Sequence, residues 1–222
     1  MGDIWQALAE VRHDREVGVV VLTGAGERAF AAGVDIGELR QRIALEALAS
    51  VMQGVYDEIE AYEKPTMAVV SGLALGGGCE LAMAFQVRIA SGHARFGLPE
   101  VTLAIIPGAG GTQRLSRLAG KGRAIEMILA GQIIDAEEAY RIGLMTQVAR
   151  DDERLMDRVR TTAATILSRG PLAVCLVKLA VQTGFEADQK TGLVIERLSL
   201  QDLGPFVGLP NQRGCRCPWQ AL

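Results

Sequence analysis

An α/β fold that passes into an all-helical C-terminal region is what this sequence predicts, and three observations carry that reading. The runs VGVVVLT at 17–23 and TMAVV at 66–70 are almost wholly apolar and rich in β-branched residues, as strands buried on both faces of a parallel sheet are. Stretches of helical periodicity alternate with such runs over the first two thirds of the chain. After about residue 150 only helical patterns remain. With 222 residues, 49% hydrophobic and 22% charged, the chain is long enough for one sizeable core and is not compositionally disordered.

The elements follow in order. Asp3 to Arg12 reads as a helix, with Ile4, Leu8 and Val11 on one face, and Val17 to Thr23 as the first strand. Gly24 to Gly33 reads as a glycine-punctuated loop. Helical periodicity runs from about Ile36 to Tyr62, with a break expected near Ser50 or Gly54, and Pro65 closes it before the strand Thr66 to Val70. Ser71 to Gly78 leads into an apolar helix from Cys79 to Phe85. Short strands are expected at Val87–Ala90 and Ala94–Gly97, and the cluster Pro107–Gly111 opens a helix from Thr112 to Leu118. Helices at Arg123–Leu129 and Ala136–Ile142 flank a short strand; Asp135 is a natural N-cap and Gly143 a natural stop. A last strand, Leu144 to Val148, precedes helices at Asp151–Leu167, Pro171–Val181 and Glu186–Leu200.

Several function classes are excluded. Basic and acidic residues number 23 and 26, a net charge of −3, so no positive field draws in nucleic acid, and 5% aromatics make a poor base-stacking surface. The opening residues Met1 to Gln6 carry neither the apolar run of a leader nor a myristoylation pattern, and no run suits a membrane span. Cys79, Cys175, Cys215 and Cys217 are scattered, which fits reduced thiols and a cytoplasmic location. His13 and His93 lack ligand partners at helical spacing, so no metal site is expected.

Three features carry chemistry. Gly24-x-Gly26-x-x-Ala29 follows a strand, as a dinucleotide-binding turn would, but no helix begins inside it, so it reads as a surface loop. Gly76-Gly77-Gly78, placed between a buried strand and a helix, sets free backbone N–H groups at a helix N-terminus, where they favour a developing oxyanion; close strand-to-helix packing would explain the same glycines. Glu80 sits among apolar residues near the start of its helix, and Glu100 precedes the apolar stretch Val101 to Ile106. Desolvation raises such a carboxyl into the range useful for proton transfer, although either residue alone could serve a helix dipole.

Together these segments resemble the enoyl-CoA hydratase (crotonase) family. The resemblance lies in Phe30–Ile36, in the run Lys64–Ala82 around Gly76-Gly77-Gly78-Cys79-Glu80, in Phe96–Glu100 and in Ile106–Leu115, and it extends from about Ile4 to Arg197. It implies a crotonase (ClpP/crotonase-like) fold, a repeated ββα spiral core over 1–148, followed by a helical trimerisation region at 149–200 and an atypical tail at 201–222. It also implies an oxyanion hole built from the N–H groups of Val34 and Gly77, and catalysis by Glu80 and Glu100, with Glu100 donating the α-proton and Glu80 activating water. The same resemblance makes Ala32, Val34, Asp35, Ile36, Gly37, Gly76 and Gly77 a lining for the CoA thioester.

The implied reaction is addition of water across the 2,3 double bond of a 2-enoyl-CoA in fatty-acid or branched-chain acyl-CoA metabolism. No metal or redox cofactor is involved, and CoA is part of the substrate. The implied assembly is a trimer or a dimer of trimers, with neither nucleic acid nor membrane as partner. Both glutamates are present, whereas relatives that only isomerise often lack one. Isomerisation, methylglutaconyl-CoA-type hydration and a CoA-binding remnant without turnover are the alternatives. Against the family pattern, an N-terminal hairpin is missing, Gly37 stands where a lysine is common, and residues 202–222 depart from the usual ending. These departures lead to the expectation of a marginally stable, impaired hydratase.

Overall fold

The computed structural model describes residues 2–31, 33, 51–149 and 154–201. They form two compact units, one comprising Met1–Gln6, Val21–Tyr62 and Thr66–Val159, the other Ala7–Val20, Glu63–Pro65 and Arg160–Leu222.

The elements in chain order are α1 (Gly2–Arg12), β1 (Val20–Thr23), β2 (Ala29–Ala31), α2 (Val51–Ala61), β3 (Thr66–Val70), β4 (Leu73–Leu75), α3 (Gly77–Met83), β5 (Val87–Ser91) and β6 (Arg95–Gly97). A 3-10 helix (Pro99–Leu103) is followed by α4 (Gly111–Ala119), α5 (Lys121–Ala130), β7 (Ile133–Asp135), α6 (Ala136–Arg141), β8 (Gln147–Ala149), α7 (Leu155–Leu167), α8 (Pro171–Glu186) and α9 (Gln189–Gln201).

The strands of the first unit form two sheets, ordered β1-β3-β5-β8 and β2-β4-β6-β7; β1 to β6 alternate between them and β7 joins β6 in the second. In the first sheet β3 pairs parallel with β5, Met67 opposite Val87 and Val70 opposite Ala90, and β5 pairs parallel with β8. In the second, β4 runs parallel to both β2 and β6, and β7 closes the edge antiparallel to β6. Each ββ turn of the chain thus adds one strand to each sheet, which is the repeating ββα spiral.

All five residues of β3 are buried, as its uninterrupted apolar run requires of a central strand. Its one polar side chain is satisfied: the backbone N–H and hydroxyl of Thr66 both donate to the Gln86 side-chain oxygen, at 2.9 and 2.6 Å. Tyr56, Ile59, Met67, Val69, Ile89, Phe96, Leu98 and Leu115 are fully buried between these layers, each worth ~1.5–3 kcal/mol of apolar transfer. Buried Arg88 donates to the carbonyls of Leu144 and Phe85, both at 2.6 Å, and ties the chain before β8 to β5.

The differences from the sequence reading are local. β1 is shorter than 17–23 and its residues alternate between half-buried and exposed, because it lies at the edge of its sheet. The expected loops at 24–33 and 71–78 contain β2 and β4, three residues each, paired with one another. Gly54 lies inside α2 without breaking it, and the segment near Ser50 lies outside the described residues. The last strand begins three residues later than expected, at Gln147. α8 continues to Glu186, five residues past Val181. Asp135 does cap α6, its carboxylate accepting the Glu138 N–H at 2.9 Å, and Gly143 follows the helix at φ 82°.

In the second unit, Lys64 Nζ donates to the carbonyls of Val11 and Asp14 at 2.6 and 2.7 Å, closing the segment after α1. α8 starts on Pro171, where the missing N–H costs nothing, and packs on α9 where Gly184 and Gly192 approach. Among the described residues, no single helix is long and apolar enough to cross a membrane.

Candidate active site

The turn from β4 into α3 is set by Gly76, whose φ of 54° and ψ of −127° lie in a region closed to side-chain-bearing residues. That turn starts α3 abruptly. The N–H groups of Cys79 and Glu80 both bond back to the Gly76 carbonyl, at 2.9 and 3.0 Å. Gly77 and Gly78 precede any intrahelical acceptor, so their N–H groups stand at the positive end of the helix.

Gly33 passes directly over this turn. A Cβ placed on it would lie 3.1 Å from the Gly77 nitrogen, and one placed on Gly77 would lie 3.2 Å from the Gly33 Cα and 2.7 Å from Met52 Cε. Gly78 in turn packs on the Ala31 carbonyl. The second glycine-bearing segment named from sequence therefore meets the triplet at Gly33. Its further residues Ala32, Val34, Asp35, Ile36 and Gly37 lie outside the described residues. Beneath the turn, buried Tyr56 of α2 donates its hydroxyl to the Gly77 carbonyl at 2.9 Å, and burial drives its own pKa upward.

Glu80 lies one turn into α3 and is 3% exposed. Its Oε1 accepts two backbone N–H groups, from Ala109 and from Gly111, both at 2.8 Å. The loop can come this close because a Cβ at Gly111 would sit 2.8 Å from that same oxygen. The cluster Pro107–Gly111 is therefore a cradle for a carboxylate. Burial pushes the Glu80 carboxyl above the ordinary range, opposed by the two N–H donors and then by the Arg114 guanidinium.

Glu100 has the opposite surroundings. It is half-buried in the 3-10 helix after β6, with Oε1 3.3 Å from where a Cβ on Gly76 would stand. Its Oε2 is buried and has no hydrogen-bond partner among the described residues. Burial pushes this carboxyl up to about 7; its own backbone N–H opposes the rise and the charge of Glu80 adds to it. The two glutamates thus flank Gly76 within electrostatic reach of each other, as the sequence reading placed them in one site. Cys79 beside them is an inert thiol, pushed by burial to about 12.

Tyr56, Ala109, Gly111 and Arg114 carried no assigned role in the sequence reading. All four stand inside glycine or helix patterns there. Their function depends on partners about 20 to 60 residues away, which no local signal marks. Among the described residues no group of three or more His, Cys, Asp and Glu could hold a metal ion.

A carboxyl cradled by two N–H groups, a second with a bare buried oxygen, and a glycine turn presenting N–H groups beside both make an acid–base site of the kind that works next to a carbonyl. The chain belongs to the enoyl-CoA hydratase/isomerase family, which it matches over residues 1–204. It is 48% identical over 191 residues to the short-chain-enoyl-CoA hydratase of Clostridium acetobutylicum, covering 85% of this chain and 73% of that one. The crotonyl-CoA hydratase of Syntrophomonas wolfei is 45% identical over 196 residues, covering 87% and 75%. Among solved structures, the enoyl-CoA hydratase of Bacillus anthracis superposes with a TM-score of 0.85 at 40% identity, over 90% of this chain and 78% of that one.

Proposed function

We propose that this chain hydrates 2-enoyl-CoA thioesters to 3-hydroxyacyl-CoA, with Glu80 as general base and Glu100 as general acid. The observation that carries the division of roles is the asymmetry of their surroundings. Glu80 Oε1 receives two N–H donors and has the Arg114 guanidinium nearby, groups that favour the carboxylate and oppose the rise that burial imposes on it. Glu100 Oε2 is buried with no donor, an environment suited to the neutral acid.

In this reading the thioester oxygen lies against the Gly77 N–H and that of Val34. Glu80 takes a proton from a water held between the carboxyls as the oxygen forms its bond to C3. The π electrons of the double bond move toward the thioester oxygen, whose growing charge the N–H groups stabilise. Glu100 then delivers its proton to C2, and exchange of one proton between the carboxyls restores the starting state. The reaction is redox-neutral and its protons all have named carriers, so it calls for no further cofactor. Ala32, Asp35, Ile36, Gly37 and Gly76 would complete the thioester lining.

A homotrimer or dimer of trimers through residues 149–200 completes the proposal. Val177, Val181 and Phe185 on α8 and Leu193 and Leu198 on α9 are each half or more exposed, an apolar surface suited to contact between copies. The free, buried thiol of Cys79 is in keeping with a cytoplasmic location.

Hydration removes the conjugated enoyl thioester, so absorbance with crotonyl-CoA reads turnover directly. Glu80→Gln and Glu100→Gln should each lower kcat by ~10²-fold or more while leaving KM within a few-fold. Near-normal turnover in either variant would remove that residue from the mechanism, and an inert wild-type chain would remove the substrate assignment.

A further inference from the structure

Arg114 is one of few buried charges in the first unit, and each end of its fork is occupied. Nε and Nη2 meet Glu60 at 2.8 and 2.7 Å, Nη2 meets Asp57 at 2.6 Å, and Nη1 donates to the Ala109 carbonyl at 2.8 Å. Its side chain is 9% exposed, against 58% for Asp57 and 37% for Glu60. A buried cation whose only task was to anchor α4 could be satisfied by the two carboxylates of α2 alone. The third bond goes instead to the carbonyl of Ala109, the residue whose own N–H, in the preceding peptide, holds Glu80. The guanidinium also lies against Gly110, where any side chain would strike it, so residues 109–111 are pressed between Arg114 on one side and Glu80 on the other.

We propose that Arg114, clamped by Asp57 and Glu60, is a positioning residue that fixes the 109–111 backbone and through it the aim of the Glu80 carboxylate at the reacting water. This deepens the hydratase reading and rests on it for the identity of the reaction. The planar fork matters as much as the charge, because three acceptors in three directions cannot be met by an ammonium. α2 then serves both halves of the site: Tyr56 holds the Gly77 carbonyl, and Asp57 beside it and Glu60 one turn further on hold the arginine that bears on the Glu80 cradle. The groups that face Glu80 are Arg114 from α4, Tyr56 from α2, Cys79 on α3 and Glu100 from the 3-10 helix, with Asp57 and Glu60 behind the guanidinium. Arg114 is the cation in that set.

The test compares Arg114→Met and Arg114→Lys with the wild-type chain. Arg114→Met should lower kcat ~30-fold with KM changed less than ~3-fold, the size expected when a supporting contact behind a reactive group is lost. It should also move the acidic limb of the pH profile up by ~1 unit, because Glu80 loses its cation. Arg114→Lys should keep the limb within ~0.3 unit of wild type and still lose kcat several-fold, since it keeps the charge and loses the fork.

Carbon-13 NMR titration of the Glu80 carboxyl in a Glu100→Gln background reads the same upward shift with no substrate present, so it stands whether or not the hydratase reading does. A folded Arg114→Met chain with an unmoved Glu80 titration overturns the proposal. So does an Arg114→Lys chain with wild-type kcat, which is the deciding variant if the methionine chain does not fold.

Discussion

Titrating Glu100 should switch both activity and stability, stability between pH 4.5 and about 7 and activity above about 7. Its carboxyl is raised from 4.5 to about 7 because burial disfavours its charged form and Glu80 repels it. If the neutral form supplies the α-proton, about half the molecules are competent at pH 7, and only about one in eleven at pH 8. The hydration rate at low substrate should therefore fall about tenfold per unit above pH ~7.5.

For stability, the folded chain holds this proton more tightly than the unfolded chain, so the contribution is fully present below pH 4.5 and is lost as pH rises to about 7. Full conversion of 2.5 units would be ~3.4 kcal/mol. Since Glu100 is only half-buried, solvent screening reduces this to ~1–2 kcal/mol. Glu100→Gln stays neutral throughout and should show no such loss. Urea denaturation of both chains at pH 5, 6, 7 and 8, with kcat/KM measured alongside, reads both effects. Parallel stability curves for the two chains, or a wild-type rate flat to pH 9, would refute the reasoning.

Two further outcomes follow from the glycine turn. Gly77→Val should raise the barrier by ~3 kcal/mol or more with the fold kept, because its Cβ would press on the Gly33 Cα at 3.2 Å and part the two N–H-bearing segments. A folded variant, checked by circular dichroism, with full turnover would count against the carbonyl site. Tyr56→Phe should cost ~1 kcal/mol of stability through loss of the buried hydroxyl's bond to the Gly77 carbonyl; an unchanged urea midpoint would show that bond to be idle.

Much of this molecule is legible locally. β3 could be read to the residue because five consecutive apolar or β-branched positions, closed by Pro65 and Gly72, have no other good conformation in a buried layer. The Asp135 cap was equally visible, since it depends on residues within one helical turn, whereas α3, expected from Cys79 to Phe85, spans Gly77–Met83 and starts inside its glycine triplet. Glu80 and Glu100 stood out because a carboxyl among apolar neighbours must be neutralised, paired or used.

What only the tertiary structure decided has one physical reason: contacts distant in the chain leave no periodicity behind. β2 and β4 have three residues each, too few to alternate visibly, and exist because each supplies the other's ladder. Gly108 to Gly111 could be read as a helix lead-in, and only the approach of Glu80 from about 30 residues earlier makes that loop a carboxylate cradle. Arg114 looks like one more surface arginine on an amphipathic helix until Asp57 and Glu60, 57 and 54 residues away, close over it. The sequence by itself singled out Glu80, Glu100 and the glycine triplet as the candidates for the chemistry. The three-dimensional packing decided which of the two carboxyls is furnished with donors and which is left bare, because hydrogen-bond geometry and desolvation are properties of neighbours in space.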